Sequence, residues 1–497
     1  MASLSTVSGH LVDPRTLKGF RDYLPQEMIL RNRVIDKIRR VYEGFGFLPI
    51  DTPVLEHLTT LIGTGGEAIN KELFRLNSPE GEPVAMRFDL TVPFARIVAQ
   101  YPNQIKLPFR RYHIGPVFRA DKPGPGRLRQ FTQFDIDAAG SDCIAVDAEI
   151  IAAMCEVMRA LGLKNTARHA DYQIRVNDRR LMDALLNGCM IREVDVQKHV
   201  LRVIDKLQKV GLQSVQQELA EGRVDESGDP IPGVGLSKPT IDLITQFVSA
   251  KGNSRRDVVA ALSELLPDSE ASCHAIEAMY TLDTALKSLG ISESEAVFDP
   301  RLTRGLDYYT GPVFEAFLCG APSFGSVMGG GRYDRLVERF LDRTIPGTGV
   351  SIGLERLIDG LVEIGKAETC PTTTKVIVLS TKDVPVSEPL SVARELRNAG
   401  FATDVYVGTA DTSMRDQFSY ANAMNIPIAV ILGPSEIESG FLSVKDLYEG
   451  REQRAGTENR DQYKKGSRIG QLSVPRADLV KTVKALVRRI GNKELGD

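Results

Sequence analysis

Between Arg111 and Ala138 the sequence prescribes a hairpin with two chemically different faces. A strand's two-residue period through Gln130-Phe131-Thr132-Gln133-Phe134-Asp135-Ile136-Asp137 puts Gln133, Asp135 and Asp137 on one side and Phe134 and Ile136 on the other. Any fold containing this strand must cover the apolar side and find a use, or solvent, for the carboxylates. The connection from Ala120 to Arg129 is long for a hairpin, rich in Gly and Pro, and basic, which suits a mobile loop closing over an anion. Arg119 at its foot offers a planar guanidinium able to grip a phosphate through two parallel hydrogen bonds. An amphipathic hairpin with a solvated polar face would show the same alternation, so its meaning depends on whether other segments repeat the theme.

Several do. Leu30, Val34, Ile38, Val41 and Phe45 follow one another at three- and four-residue steps, predicting an amphipathic helix that ends near Gly44 and Gly46. The extended segment after it carries Pro49 and Pro53, which a central strand would not tolerate, so it belongs on a sheet edge or at a subunit interface. Residues 73–76 and 84–88 flank a turn-rich connection and read as a second hairpin, delivering Asp89 and Thr91 to a strand end with Pro93 in the first turn of the next helix. Asp89 there could be a site residue or a helix N-cap. Arg304-Gly-Leu-Asp-Tyr-Tyr-Thr-Gly311 leads into a strand at 312–317, its two tyrosines offering donors and an aromatic wall. A glycine run at 325–331 precedes Arg332-Tyr333-Asp334. Gly347 to Ile358 reads as a strand with glycines on one side turning into a helix near Arg356. Missing side chains would let a flat base lie there with Arg356 reaching a phosphate; a tightly packed strand–helix corner would use the same glycines. No GxxxxGK[ST] pattern occurs, so a nucleotide would not be held by a P-loop.

Residues 179–289 are predominantly helical by periodicity, interrupted by an exposed link at 221–239, and form an insertion within a larger domain. Beyond the break at 366–374 the pattern becomes alternating strands and helices, a separate α/β domain. Its end is basic: from Arg451 onward 12 Lys and Arg face 6 Asp and Glu, an excess of six that suits a polyanion or a solvated basic helix. The whole chain of 497 residues has a formal net charge of -3, so any basic face is local. Six scattered cysteines without a CxxC pair argue against a disulfide framework or zinc site. With no apolar run long enough to span a bilayer, no membrane association and a cytoplasmic location are expected, leaving room for a short organellar address in the first dozen residues.

Taken together these strings resemble the class II aminoacyl-tRNA synthetases, and specifically the histidyl-tRNA synthetase family. The class's three motifs are matched by the first helix with Pro53, by Phe118-Arg119-Ala120-Asp121 through Asp137, and by Gly347 to Arg356. The histidine-specific match rests on Lys18 to Pro25, Met86-Arg-Phe-Asp-Leu-Thr91, Arg304 to Tyr309 and Gly329-Gly-Gly-Arg-Tyr-Asp334, in that order along the chain. The resemblance implies an α+β catalytic domain over residues 1–370, built on the class II antiparallel sheet with its helical insertion at about 179–289. It implies an anticodon-binding α/β domain over 371–497 and a homodimer. The implied partners are ATP, L-histidine and tRNA(His), with Mg²⁺ accompanying ATP.

Carried over by position, Asp89, Thr91 and Gln133 would hold the α-amino group, with Leu90 between the first two. Asp137 and Tyr309 would bond the imidazole, Tyr308 would line the pocket, and Arg119 would bind the α-phosphate. Arg356, with Arg127, would take the rest of ATP, and Arg304 would span the α-phosphate and the histidine carboxylate. Lys122, Arg127 and Arg129 are candidates for contacts to the tRNA acceptor or to phosphate. Two departures stand out: Asp121 occupies a position usually held by Glu, and one branch of the family has Glu where Asp89 and Asp137 stand. Rival readings are a non-catalytic synthetase-like subunit of an ATP phosphoribosyltransferase and a class II enzyme for another amino acid; the C-terminal domain counts against the first and Arg304 to Tyr309 against both.

Overall fold

The strand Gln130–Ala139 (β3) pairs antiparallel with Phe109–Phe118 (β2) along the full ten residues of each, joining Arg111 to Asp137 and His113 to Asp135 across the ladder. In this computed structural model the described residues are 12–63, 70–124, 126–166, 169–224, 228–303, 308–409, 412–449 and 470–494. They divide into two compact units. One holds residues up to Asp22 and from Arg33 to Ala367; the other holds Tyr23–Asn32 and the chain from Glu368 on.

The first unit is built on an eight-stranded sheet. Its strands are β1 (Leu48–Pro49), β2, β3, β4 (Tyr172–Asp178), β5 (Ala296–Phe298), β6 (Pro312–Leu318), β7 (Ser326–Arg332) and β8 (Gly347–Gly353), in the order β1-β2-β3-β8-β7-β6-β4-β5. The five central junctions are antiparallel, and only the outermost strands β1 and β5 pair in parallel. Pro49 therefore sits on an edge, where its missing N–H interrupts no ladder. One face of β3 is packed as expected: Phe134 and Ile136 are fully buried, and the rings of Tyr42 and Tyr112 lie 5.1 and 5.9 Å from that of Phe134. Burial of side chains this size contributes roughly 2–3 kcal/mol each. The polar face is not solvated; Gln133, Asp135 and Asp137 are all buried.

Between β4 and β5 the chain leaves the sheet for six helices, from Arg179–Gly188 to Glu270–Ser288, with a small hairpin of Gly222–Val224 against Pro230–Pro232. Asp178 caps the first of them by accepting from the Arg180 N–H, and Ser254 opens Arg255–Ser263 with a capping box. A separate three-stranded sheet of Leu55–His57, Pro83–Met86 and Arg75–Asn77 feeds the helix Thr91–Gln100. The second unit carries five strands in the order Thr403–Val405, Val376–Ser380, Ile428–Leu432, Phe441–Asp446, Gln471–Pro475, the first two junctions parallel and the last two antiparallel.

Glycines set how closely the central strands approach. A Cβ on Gly330 would lie 2.0 Å from the Gly349 carbonyl oxygen, whereas one on Gly44, at the end of the helix Pro25–Gly44, would meet nothing within 4 Å. Gly330→Ala is expected to destabilise by about 2 kcal/mol or more, since backbone must move. Gly44→Ala should leave stability unchanged or raised by up to about 1 kcal/mol, because it restricts the unfolded chain. Thermal unfolding of the two variants decides; equal melting temperatures would contradict the packing described.

Candidate active site

Strand register assembles the site. Arg111, His113 and Gly115 of β2 stand opposite Asp137, Asp135 and Gln133 of β3, which stand opposite Gly349, Ser351 and Gly353 of β8. Beyond them lie Gly331 and Gly329 of β7, then Val313 and Glu315 of β6. Because alternate side chains leave a strand on the same side, all of these project from one face. The middle of that face is nearly free of side chains at Gly329, Gly331 and Gly349, so bulk is concentrated on its two flanks.

On one flank is a buried charge cluster. Arg111 Nη2 lies 2.5 Å from Asp137 Oδ2 and donates to the Leu90 carbonyl at 3.0 Å, while its guanidinium sits 4.8 Å above the Phe94 ring. The Tyr333 hydroxyl donates to the other Asp137 oxygen. Gly349 makes room for this arrangement, since a Cβ there would fall 2.2 Å from Asp137 Oδ1. Asp89 does cap the helix Thr91–Gln100, accepting from the Val92 N–H at 3.1 Å, yet its second oxygen is buried without a hydrogen-bond partner. Arg87 crosses above Gly115, where a Cβ would fall 2.3 Å from Nη2, and donates to the carbonyls of Pro116 and Thr52 at 2.9 and 2.6 Å. Gln133 donates from Nε2 to Ser351 Oγ at 2.7 Å, leaving its Oε1 buried and unpartnered.

On the other flank a cavity of about 230 Å³ is lined by Arg119, Arg127, Arg356, Glu315 and Glu355, among others. Arg119 is braced by a 3.0 Å bond from Nε to the Phe88 carbonyl and by the Phe131 ring 5.2 Å away. Arg356 donates to the Ser326 carbonyl at 2.8 Å. Arg127 is more than half exposed, 3.6 Å from Asp121. Arg129 is turned back, its Nε on the Asp121 carbonyl and its backbone N–H on Gly19.

The electrostatics of the flanks are opposite. Burial pushes Asp89 up to about 6 against the Val92 N–H and Arg119, and Asp135 up to about 8 against the pull of Arg111. Asp137 is raised by burial too, opposed by Arg111 and Tyr333. His113 is pushed down to about 3 by burial and by Arg111 and Arg87, so it stays neutral. Around the cavity, burial and the like charges of Arg127 and Arg119 lower Arg356. Glu72 is raised to about 7 by burial and by the neighbouring Asp121. The carboxyl flank thus gathers Asp89, Asp135 and Asp137 around Arg111, and the cavity gathers Arg119, Arg127 and Arg356 with Asp121, Glu315 and Glu355.

Of the residues predicted from sequence, Asp89 and Asp137 meet in the cluster, and Gln133 lines the cavity with Arg119, Arg127 and Arg356. Leu90 contributes its carbonyl to Arg111, and Thr91 begins the helix. Tyr309 is buried with its ring against Gly331, and Tyr308 lies 4.8 Å from Tyr309 and edge-on to Tyr333. Arg304 lies outside the described residues. Arg87, Arg111, Tyr333, Ser351 and Glu72 were given no role from sequence. Arg111 shares the strand parity of Arg119, which was a usable signal; the partnership of Tyr333 with Asp137 spans 196 positions and had none.

Groups whose folded pKa is raised above the ordinary value stabilise the fold at low pH and lose that contribution as pH rises through the folded value. For Asp89 and Asp135 the window runs from about pH 4 to about 8. Asp135→Asn should therefore melt at an increasingly higher temperature than the parent as pH is raised from about 5 to about 8.5; a gap that stays constant or narrows would refute the buried, proton-holding state of Asp135.

Comparison with known proteins gives the following. A family model described as histidyl-tRNA synthetase matches residues 19–357, and one described as an anticodon binding domain matches 375–486. A histidine–tRNA ligase of Paracoccus denitrificans is 38% identical over 491 residues, covering 96% of this chain and 97% of its own. One from Rhizobium meliloti is 37% identical, covering 95% of each. Among solved structures, the histidyl-tRNA synthetase of a Nostoc species is 32% identical with a TM-score of 0.77, over 96% of this chain and all of that one.

Proposed function

The chain belongs to the histidyl-tRNA synthetase family, ATP-dependent ligases of class II architecture that join histidine to its tRNA, and we propose how the two flanks of its sheet divide that work. The reaction has two steps. The histidine carboxylate attacks the α-phosphorus of ATP, releasing pyrophosphate and giving histidyl-adenylate; the terminal ribose hydroxyl of the tRNA then attacks the carbonyl, releasing AMP. The attacking carboxylate is ionised near neutral pH, so the first step needs no general base. It needs positive charge, because two anions must meet.

The observation that carries the assignment is the separation of charge across one sheet face. The carboxyl flank attracts the α-ammonium group, with Asp89, Thr91 and Gln133 as its direct holders. A bound zwitterion then has its carboxylate directed toward Arg119, the α-phosphate ligand. By the family resemblance Arg304 is given the same α-phosphate and the histidine carboxylate, and Arg356 and Arg127 take the rest of ATP. Asp137, steadied by Arg111 and Tyr333, and Tyr309 bond the imidazole nitrogens, with Tyr308 as part of the wall. Leaving those polar groups unpaired with a wrong side chain discriminates by roughly 10⁴ or more, so no editing site is required.

Magnesium is assigned to the phosphates of ATP. Among the described residues no group of three His, Cys, Asp or Glu could hold a metal ion by itself, while Glu315 and Glu355 at the cavity offer the one or two carboxylates that Mg²⁺ takes beside phosphate oxygens. When bound, it supplies charge neutralisation of the phosphates. The second unit is assigned to the anticodon, and a homodimer is assigned to the edge carrying β1, where Leu48 is 57% exposed. No described helix is long and apolar enough to cross a membrane, and the cytoplasm is the location inferred for the enzyme.

Pyrophosphate exchange dependent on histidine, and absent with proline, threonine and glycine, is the expected activity; exchange with none of the four would favour a non-catalytic role. Arg119→Lys and Arg304→Lys keep charge but lose the two-pronged grip, and each should slow exchange by about 10²-fold or more. Parent rates in either variant would remove that residue from the assignment.

A further inference from the structure

Tyr308 and Tyr309 stand on the connection between β5 and β6, ahead of the first ladder residue, Pro312. Where their rings lie therefore depends on what holds that connection, and Thr310 is where it is held. Its backbone N–H donates to the carbonyl of Arg332, the last residue of β7, at 2.8 Å. Its hydroxyl donates to Asp334 Oδ2 at 2.8 Å and accepts the Asp334 backbone N–H at 3.1 Å, so one oxygen grips both the side chain and the main chain of the same residue. Asp334 is itself anchored. Arg332 Nη1 donates to its other carboxylate oxygen at 3.3 Å and to the Ser141 carbonyl at 3.1 Å. The Arg332 Nε donates at 3.0 Å to Asp147, in the first turn of the helix Ile144–Ala160. Arg332 and Asp147 are both buried. The anchor is thus built into the core, and the latch that closes on it is a single hydroxyl.

Tyr309 lies with its ring over Gly331, where a Cβ would fall 2.9 Å from Tyr309 Cδ1. A glycine gives the ring a flat floor but no side chain to fix it along the strand, so the ring follows the backbone at Tyr309 and Thr310. A displacement of about 1 Å at a reacting or binding group can cost about 10²-fold in rate. Arg119, Arg127 and Arg356 stand on β2, on the loop after it and on the helix after β8, none of them on this connection. Loosening the latch therefore moves one substrate's contacts and leaves the other's in place.

We propose that Thr310 and Asp334 are positioning residues for histidine recognition, a latch that registers Tyr309 against the imidazole. The proposal rests on the reading of Tyr309 as an imidazole ligand, and deepens it.

The test is histidine-dependent pyrophosphate exchange by the full-length protein. Thr310→Val, which keeps the shape and removes the hydroxyl, should raise KM for histidine about tenfold, as expected for loss of a hydrogen bond to a charged group, with KM for ATP within about twofold of the parent. Thr310→Ser, which keeps the hydroxyl, should restore the parent value. Tyr309→Phe should raise KM for histidine by itself. Adding Thr310→Val to it should then change that KM by no more than about twofold, because the latch acts through the tyrosine. Should Thr310→Val fail to fold, Asp334→Ala takes its place in the same comparison. Parent KM for histidine in the folded valine variant, an equal rise for ATP, a serine variant as impaired as the valine one, or effects that multiply in the double variant would each overturn the latch. Parent KM for histidine in Tyr309→Phe would instead overturn the assignment of Tyr309 to the imidazole.

Discussion

Placing Arg111 and Asp137 together in the middle of a sheet, away from water, costs several kcal/mol per ion before their attraction is counted, and breaking such a pair leaves an uncompensated buried charge. Part of that cost is met from four separate parts of the chain, the carbonyl of Leu90, the ring of Phe94, the hydroxyl of Tyr333 and the empty space over Gly349, while Arg111 Nε and Nη1 are buried without a hydrogen-bond partner. Each is tied to the first unit by its own element. The strand order brings β8 beside β3, and the turn after β7 brings Tyr333 back over the pair. Fold and site are in this sense one construction, because the ion pair tolerates no rearrangement of the strands around it.

That pair also organises the charge around it. With Arg111 engaged by Asp137, the neighbouring Asp89 and Asp135 are left in a poorly solvated place with unpartnered oxygens, and burial lifts both of their pKa values. A face with carboxyl groups gathered on one flank and three guanidinium groups on the other can partner both ends of a zwitterion lying between them. The glycines at 329, 331 and 349 keep the floor between the flanks clear.

Periodicity proved sufficient for the hairpin of β2 and β3, because a two-residue alternation with mixed polarity has few other realisations. It placed Gln133, Asp135 and Asp137 on one face, and the prolines placed the segment at Leu48–Pro49 on an edge, where it lies. It could not tell a solvated polar face from a buried one. That difference was set by what covers the face: the helix Thr91–Gln100, the Tyr333 ring and the crossing Arg87, all distant in sequence. Asp89 shows the same limit at one residue, reading as either a cap or a ligand and using one oxygen for the first role while leaving the other unpartnered.

By itself, then, the sequence determined the element types, the edge position of its proline segment, the helical insertion and the strings that mark its family, since these depend on local period, backbone restriction and residue order. Tertiary structure alone decided which polar groups lose their water and which partners they find there. The pairing of β3 with β8 and the return of Tyr333 onto Asp137 join positions more than a hundred apart, and desolvation is a property of everything packed above a residue.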